Sequence, residues 1–547
     1  MNTARLSHVR GETHPSLIED TIDTMLTRAA EQWPDADALV SVEQGVRWSF
    51  AELNRRVDAV AAGLLALGLT RGDRLAIWAP NCPEWLLIQF ATARVGIIQV
   101  NINPAYRTSE LEYTLNKVGV NTLVAVSSFK GSDYVGMVES IAARVPQLKT
   151  RVKIGGEPRA GWLEFADING RDFEAVRMAS AQLDRYQPIN IQFTSGTTGL
   201  PKGATLCHRN IVNNAYFVGV SMGLRAGDRL CIPVPLYHCF GMVMGNLACV
   251  VHGATIVYAS ASFDPLAVLS TVQAERCTAL HGVPTMFIAE LEHPRFKEFD
   301  LSSLRAGIMA GSPCPIEVMR RVIDRMNMRE VTIAYGMTET SPVSFQSSPA
   351  DPMERRVTTV GRIQPHFEAK VIDAAGNTVP RNHPGELCTR GYAVMLGYWD
   401  DPEKTAEAID SEGWMHTGDL AVIDDEDYCN IVGRHKDLII RGGENVYPRE
   451  VEEFLFRHPK IADVTVVGVP HERFGEEVCA WIKLRAGESV SSEEIREYCK
   501  GQIAHFKIPS HIAFVESFPM TVTGKVQKYL IRQQIAAELG RLEIRTA

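Results

Sequence analysis

The densest chemistry in the chain lies in ten residues, Thr194-Ser-Gly-Thr-Thr-Gly-Leu-Pro-Lys-Gly203. The segment follows an apolar run. Gly196 and Gly199 let the backbone approach a polyphosphate and turn amides toward it. The hydroxyls of Thr194, Ser195, Thr197 and Thr198 add donors, and Lys202 adds a positive charge. The spacing is not that of the Walker loop, because Pro201 precedes Lys202 and no Gly-Lys-Ser/Thr run exists. The remaining protein-kinase signatures are missing too. On composition alone, the stretch also fits a plain surface loop.

Further polar segments follow. Tyr335-Gly-Met-Thr-Glu-Thr340 combines an aromatic face with a carboxylate, Glu339. A base can stack on such a face, and a hard cation takes a carboxylate together with phosphate oxygens. Gly413-Trp-Met-His-Thr-Gly-Asp-Leu420 offers Asp419, and Arg434 follows. Ala310-Gly-Ser-Pro313 is a stretch of small residues containing Gly311 and Ser312. It reads equally well as an ordinary turn between a strand and a helix. Near the C-terminus stands Lys525, in Pro519-Met-Thr-Val-Thr-Gly-Lys525. Taken singly, Glu339 reads as a solvated acid, Asp419 as a turn former, Lys525 as a surface lysine and His238 as a satisfied core histidine.

Together and in this order, from about Phe50 to Lys528, these segments resemble the adenylate-forming superfamily: acyl-CoA synthetases, adenylation domains of peptide synthetases and firefly-type luciferases. Pro235-Leu-Tyr-His-Cys-Phe-Gly241, Gly397-Tyr-Trp399 and Ile440-Arg-Gly-Gly-Glu-Asn445 are most similar to the medium-chain acyl-CoA ligases. The resemblance implies ATP, Mg²⁺ and coenzyme A as co-substrates and cofactors. It implies that Tyr335 and Gly336 face the adenine and that Thr338 lies near the α-phosphate. Glu339 would hold Mg²⁺, with Thr194 in the same phosphate neighbourhood. Asp419 would accept from the ribose hydroxyls, Arg434 would reach the ribose or phosphate, and Gly311 and Ser312 would lie beside the adenine and the acyl group. Lys525 would contact both the substrate carboxylate and the α-phosphate. His238 would sit at the mouth of the acyl pocket in a substrate role, not as a general base. Gly442 and Gly443 would line the passage for the CoA pantetheine. The family's hinge position falls on Lys436, with Asp437 beside it.

The implied reaction joins a carboxylic acid to CoA through an acyl-adenylate. No Arg or Lys lies beside His238 or within Ala334–Val343. The apolar pocket candidates are Met242, Val283, Met337, Pro342 and Val343. An apolar monocarboxylic acid is therefore expected; medium-chain fatty acids lead by resemblance, and short branched, aryl or sulfur-containing acids are the alternatives. A carrier-loading adenylate former would usually carry an insertion between its domains, and the stretch from Gly385 to Arg434 is compact. A degenerate nucleotide binder would be expected to have lost one of Lys202, Glu339, Asp419, Arg434 and Lys525.

Positioning such a set takes several layered elements. The 547 residues and a hydrophobic fraction of 45% allow three or four folding units. Apolar residues at helical spacing predict a helix over Phe50–Leu67. Arg74–Trp78 reads as a buried strand, Pro83–Val95 as a helix and Ile97–Val100 as a strand. Ile191–Phe193, Ala254–Tyr258 and Val331–Ala334 continue the alternation. The expected fold is α/β: a large layered N-terminal adenylation domain of several subdomains over residues 1–434, and a small mobile α+β domain over 435–547. In the latter, Ile461–Val469, Val478–Leu484 and Ile512–Val515 read as strands, and Ser491 to Glu494 as a capping box. The net charge of −9, without basic runs, argues against nucleic acid. Eleven scattered cysteines without C-x-x-C pairs suit a reduced, cytoplasmic protein. Gly241–Ala259 is apolar but broken by His252 and Gly253, so it reads as core and not as a membrane span. Relatives of this kind are often homodimers.

Overall fold

The computed structural model describes residues 5–194, 201–521 and 524–538. Alternation of strands and helices builds two large, mostly parallel sheets. One has eight strands. Its parallel part runs through Leu163–Glu164, Thr150–Ile154, Thr122–Val126, Arg74–Trp78, Ile98–Asn101 and Pro188–Thr194, with Lys202–Cys207 and Gly397–Tyr398 added antiparallel. The other has nine. Its parallel centre runs Glu330–Gly336, Ala306–Ala310, Ala279–Gly282, Arg229–Cys231, Thr255–Tyr258 and Asp37–Ser41, with antiparallel strands at both edges. Strands of this kind are buried on both faces, which is why their sequences read as continuous apolar runs. A third, antiparallel sheet links His8–Arg10, Phe367–Ile372, Gly385–Gly391, Met415–Ile423 and Cys429–Arg434.

Several elements follow directly from local sequence. Helix Phe50–Ala66 is capped by Ser49, whose side chain accepts from the Glu52 amide. Helix Pro83–Val95 begins on proline and ends at Gly96 in the left-handed region. Arg94 of this helix is buried and pairs with Asp23 and Asp58, tying three helices together. The strand expected at Ile97–Val100 runs Ile98–Asn101, one residue later. The apolar stretch from Gly241 is core, but not uniform helix. Phe240–Leu247 is a π-helix, followed by helix Ala248–His252 and strand Thr255–Tyr258. Such widened turns are frequent at functional sites.

The C-terminal residues form a fourth sheet. Ile461–His471 and Gly475–Leu484 pair antiparallel, flanked by Ile439–Arg441, Glu444–Val446 and His511–Phe514. The Ser491 capping box is present in both halves. This sheet has its own apolar core, with Val466, Ala480, Leu455 and Ile495 fully buried. The fold is thus a large α/β body with a small α+β domain. Among the described residues, no helix is long and apolar enough to cross a membrane. All eleven cysteines are buried and free.

Candidate active site

In sheets of this type, ligands bind beyond the carboxyl ends of the parallel strands. The site residues gather there. Thr194 closes strand Pro188–Thr194, Tyr335 and Gly336 close strand Glu330–Gly336, and Gly311 follows strand Ala306–Ala310. Ser195, Gly196, Thr197, Thr198 and Gly199 lie outside the described residues.

Glu339 is buried and is the focus of one polar group. Its Oε1 accepts from Thr194 Oγ1 at 3.2 Å and from the Tyr398 hydroxyl at 2.8 Å. Tyr398 stands on the edge strand next to Lys202, whose Nζ lies 4.2 Å from the centre of its ring. Lys202 is itself on a strand, Lys202–Cys207, and its ammonium is held beside this group. The oxygen donors of Glu339, Thr194 and Tyr398 suit a hard divalent cation that shares its shell with phosphate oxygens.

Asp419 is the second focus. It accepts from the Tyr335 hydroxyl at 2.7 Å and from Arg434 Nε at 3.0 Å. Tyr335 is therefore clamped at its hydroxyl, which fixes its ring. Burial and the Asp419 carboxylate raise the Tyr335 phenol well above its ordinary range, so it stays a donor. Gly336 is needed for close approach. A Cβ there would fall 1.7 Å from the Pro342 carbonyl oxygen.

Lys525 arrives from the C-terminal domain on a tight turn. The Gly524 amide donates to Thr521 O, and the Lys525 amide donates to Thr521 Oγ1. Thr285 Oγ1 donates to the Gly524 carbonyl at 3.4 Å. A Cβ on Gly524 would lie 2.9 Å from Thr285 Oγ1 and from Val283. The Lys525 chain packs on Gly311, where a Cβ would meet Lys525 Cε at 4.0 Å. Its ammonium is held below the ordinary lysine value, first by desolvation and then by Arg434; Asp419 and Glu339 act in the opposite sense.

His238 faces the same centre. Its pKa is pushed down to about 3, first by burial and then by Lys525. A neutral ring whose Nδ1 accepts from the Phe240 amide at 3.2 Å presents Nε2–H as a donor. Thr338 is buried beside Cys239, whose thiol also donates to Gln192 Oε1 at 3.1 Å. Ser312 sits in the turn after Gly311, where its carbonyl accepts from Cys314 Sγ at 3.5 Å. Gly442 and Gly443 belong to the turn between Ile439–Arg441 and Glu444–Val446 in the small domain, both at positive φ, where the Gly442 amide donates to Phe474 O.

A family model described as "AMP-binding enzyme" matches residues 26–399, and its C-terminal-domain model matches residues 450–525. A mitochondrial medium-chain acyl-CoA ligase of Danio rerio is 47% identical, covering 98% of this chain and 92% of that protein. The chain belongs to the AMP-binding enzyme family, in its acyl-CoA synthetase branch. The Homo sapiens mitochondrial medium-chain acyl-CoA ligase is 44% identical over 98% of this chain and 91% of its own length. Among solved structures, an anthranilate CoA ligase in complex with anthranoyl-AMP superposes with a TM-score of 0.86 at 26% identity, covering 97% of this chain and all of that one. This ligase is accordingly an AMP-forming acid–thiol ligase that uses a small carboxylic acid, ATP and CoA.

Sequence reasoning passed over Tyr398, Gln192 and Cys239 as site residues. Tyr398 lies inside a motif used only as a family marker. Its reach to Glu339 depends on the pairing of two strands 190 residues apart, which no local pattern reveals. Gly336→Ala should lower acid-dependent pyrophosphate release by about a hundredfold or more, because ångström-scale misplacement of a positioning loop has that effect. A variant with the wild-type rate would show that the Gly336–Pro342 packing does not govern the site.

Proposed function

We propose that the ligase activates medium-chain fatty acids, and that the residues above act in the roles the family motifs assign them. The observation that carries the substrate class is an apolar wall in the core cluster that also contains Cys239 and Phe240, the residues after His238. Met242, Val283 and Val343 are buried at 1%, 3% and 2% exposure. Met337 packs against the same core, and Phe240 at 4% exposure continues the wall. Such a wall recognises a chain by area removed from water, about 0.8 kcal/mol per buried methylene. The curated relatives' names point the same way.

In the first half-reaction, the acid's carboxylate attacks the α-phosphorus of ATP. Two anions must be held in contact. Lys525 bridges them; Arg434 works against its charge, and the Asp419 and Glu339 carboxylates support it. Asp419 accepts from the ribose hydroxyls, and Tyr335 supplies a flat face for adenine. Glu339, with Thr194 and Tyr398 around it, would hold Mg²⁺, which when bound offsets phosphate charge. Neutral His238 offers a hydrogen bond from Nε2–H and does not act as a general base. The work is positioning and electrostatics.

In the second half-reaction, the CoA thiol attacks the acyl carbon and AMP leaves. We infer that residues from His435 onward rotate as the mobile domain, with Lys436 and Asp437 as pivot. That motion withdraws Lys525 and brings Gly442 and Gly443 to the pantetheine. Motions of this kind often limit turnover.

Acyl-CoA formation from ATP, Mg²⁺, CoA and a panel of acids, from acetate to palmitate plus benzoate, should peak at medium chain lengths. A peak at benzoate or acetate would overturn the substrate assignment. Lys525→Ala should abolish pyrophosphate release yet leave thioester formation from preformed acyl-AMP largely intact. Lys436→Pro should do the reverse. Equal loss of both steps in the lysine-525 variant would remove its assigned role, and normal CoA turnover in the proline variant would remove the hinge.

A further inference from the structure

A cluster of side chains of metal-ligating type stands on the antiparallel sheet that also carries Asp419 and Arg434. Strands Gly385–Gly391 and Met415–Ile423 run antiparallel, with Cys388 directly opposite His416. Glu386 lies two residues earlier on the same strand, so its side chain shares the face of Cys388. The Cys388 Sγ–His416 Nδ1 distance is 3.6 Å, and the His416 Nδ1–Glu386 Oε2 distance is 3.3 Å. All three donor atoms lie within 4.8 Å of one another.

These spacings match the edges of a coordination tetrahedron. Bonds of about 2.3 Å to sulfur and about 2.0–2.1 Å to nitrogen and oxygen give an S···N edge of about 3.6 Å and an N···O edge of about 3.3 Å. The histidine is also oriented for this. Its Nε2 faces Asp410 Oδ2 at 3.7 Å. Asp410 is fixed by the Glu412 and Trp414 amides, each donating to Oδ1 at 2.9 Å. At that distance the carboxylate favours a proton on Nε2 by charge, which leaves the Nδ1 lone pair for a metal. The remaining Glu386 oxygen accepts from the Gly418 amide at 3.1 Å, which holds that carboxylate in place. Cys388 is fully buried, while Glu386 and His416 are about one-third exposed and form a rim open to a water ligand. Lys370, opposite Cys388 on the other neighbouring strand, and Arg390, two residues after Cys388, both hold their charges over the Trp414 ring beside the cluster. Two carboxylates and a thiolate outweigh them.

We propose that Glu386, Cys388 and His416 bind one borderline-soft divalent cation of the zinc class, with water as fourth ligand. On binding, the Cys388 S–H bond breaks, the sulfur–metal bond forms and the proton passes to solvent. The site is distinct in chemistry from the all-oxygen group around Glu339. It is tied to the nucleotide site through Gly418, one residue before Asp419.

The test is titration of the full-length protein with Co²⁺, reading the near-ultraviolet thiolate-to-cobalt absorption band, followed by displacement with Zn²⁺. One equivalent should saturate the band, and Zn²⁺ should abolish it. Cys388→Ser should remove it, and Asp410→Asn should weaken Co²⁺ binding by about 10–100-fold, as loss of such an orienting partner does. No band, or a band that survives in the Cys388→Ser protein, would overturn the proposal; the first result would leave a proton, not a metal, between His416 and Glu386. Should the serine variant fail to fold, Asp410→Asn decides, and unchanged Co²⁺ affinity there would overturn the site.

Discussion

The structure is organised around one ammonium group carried across a domain boundary. Lys525 belongs to the small domain, yet its surroundings belong to the large one: Gly311, Val283, Arg434, Asp419, Glu339 and His238. Desolvation and Arg434 both work against its charge. In the proposed mechanism, the two anionic substrates relieve that penalty, because their charges fall beside a poorly solvated ammonium. An ammonium preorganised in this way stabilises the charge that develops in the transition state without reorganising at the moment of reaction. The rest of the molecule holds the partners of that charge still.

The scaffold does this with two buried carboxylates, each braced by a tyrosine. Glu339 is held by Tyr398 and Thr194, and Asp419 by Tyr335 and Arg434. The braces come from different sheets. Thr194 and Tyr398 lie on the eight-stranded sheet, Tyr335 on the nine-stranded one, and Asp419 and Arg434 on the antiparallel one. A shift of any sheet relative to the others therefore breaks a hydrogen bond at the site. The π-helix Phe240–Leu247 adds a further constraint. Gln89 donates to its Met242 carbonyl, and Asn246 within it pairs with Gln89 and Tyr258, so a buried polar seam fixes the π-helix.

Much of this was legible in the sequence, and the reasons are physical. Arg74–Trp78 and Pro83–Val95 fall where expected because a fully apolar run and a proline start leave few alternatives. The Ser491 capping box is equally local. The strands Pro188–Thr194 and Glu330–Gly336 extend past their apolar centres because sheet pairing, not side-chain pattern, sets their ends. The π-helix was hidden, since its periodicity departs from the helical template only within a uniformly apolar stretch. Lys525 and Asp419 were singled out through motif order alone. Their placement near one centre, and the bracing by Tyr398, depend on contacts between residues far apart in the chain.

The central claim is that the docked position of Lys525 serves adenylation alone. The Glu292–Arg485 ion pair, 2.6 Å across the boundary between the large body and the small domain, offers a direct test. Both residues can be replaced by cysteine and bridged with a short, reducible bis-methanethiosulfonate linker; the eleven native thiols are buried. The bridged enzyme should release pyrophosphate and retain acyl-AMP in a single turnover, yet form no acyl-CoA until a reductant frees the small domain. Unimpaired acyl-CoA formation by the bridged enzyme would contradict the account, because both half-reactions would then run from one docked arrangement.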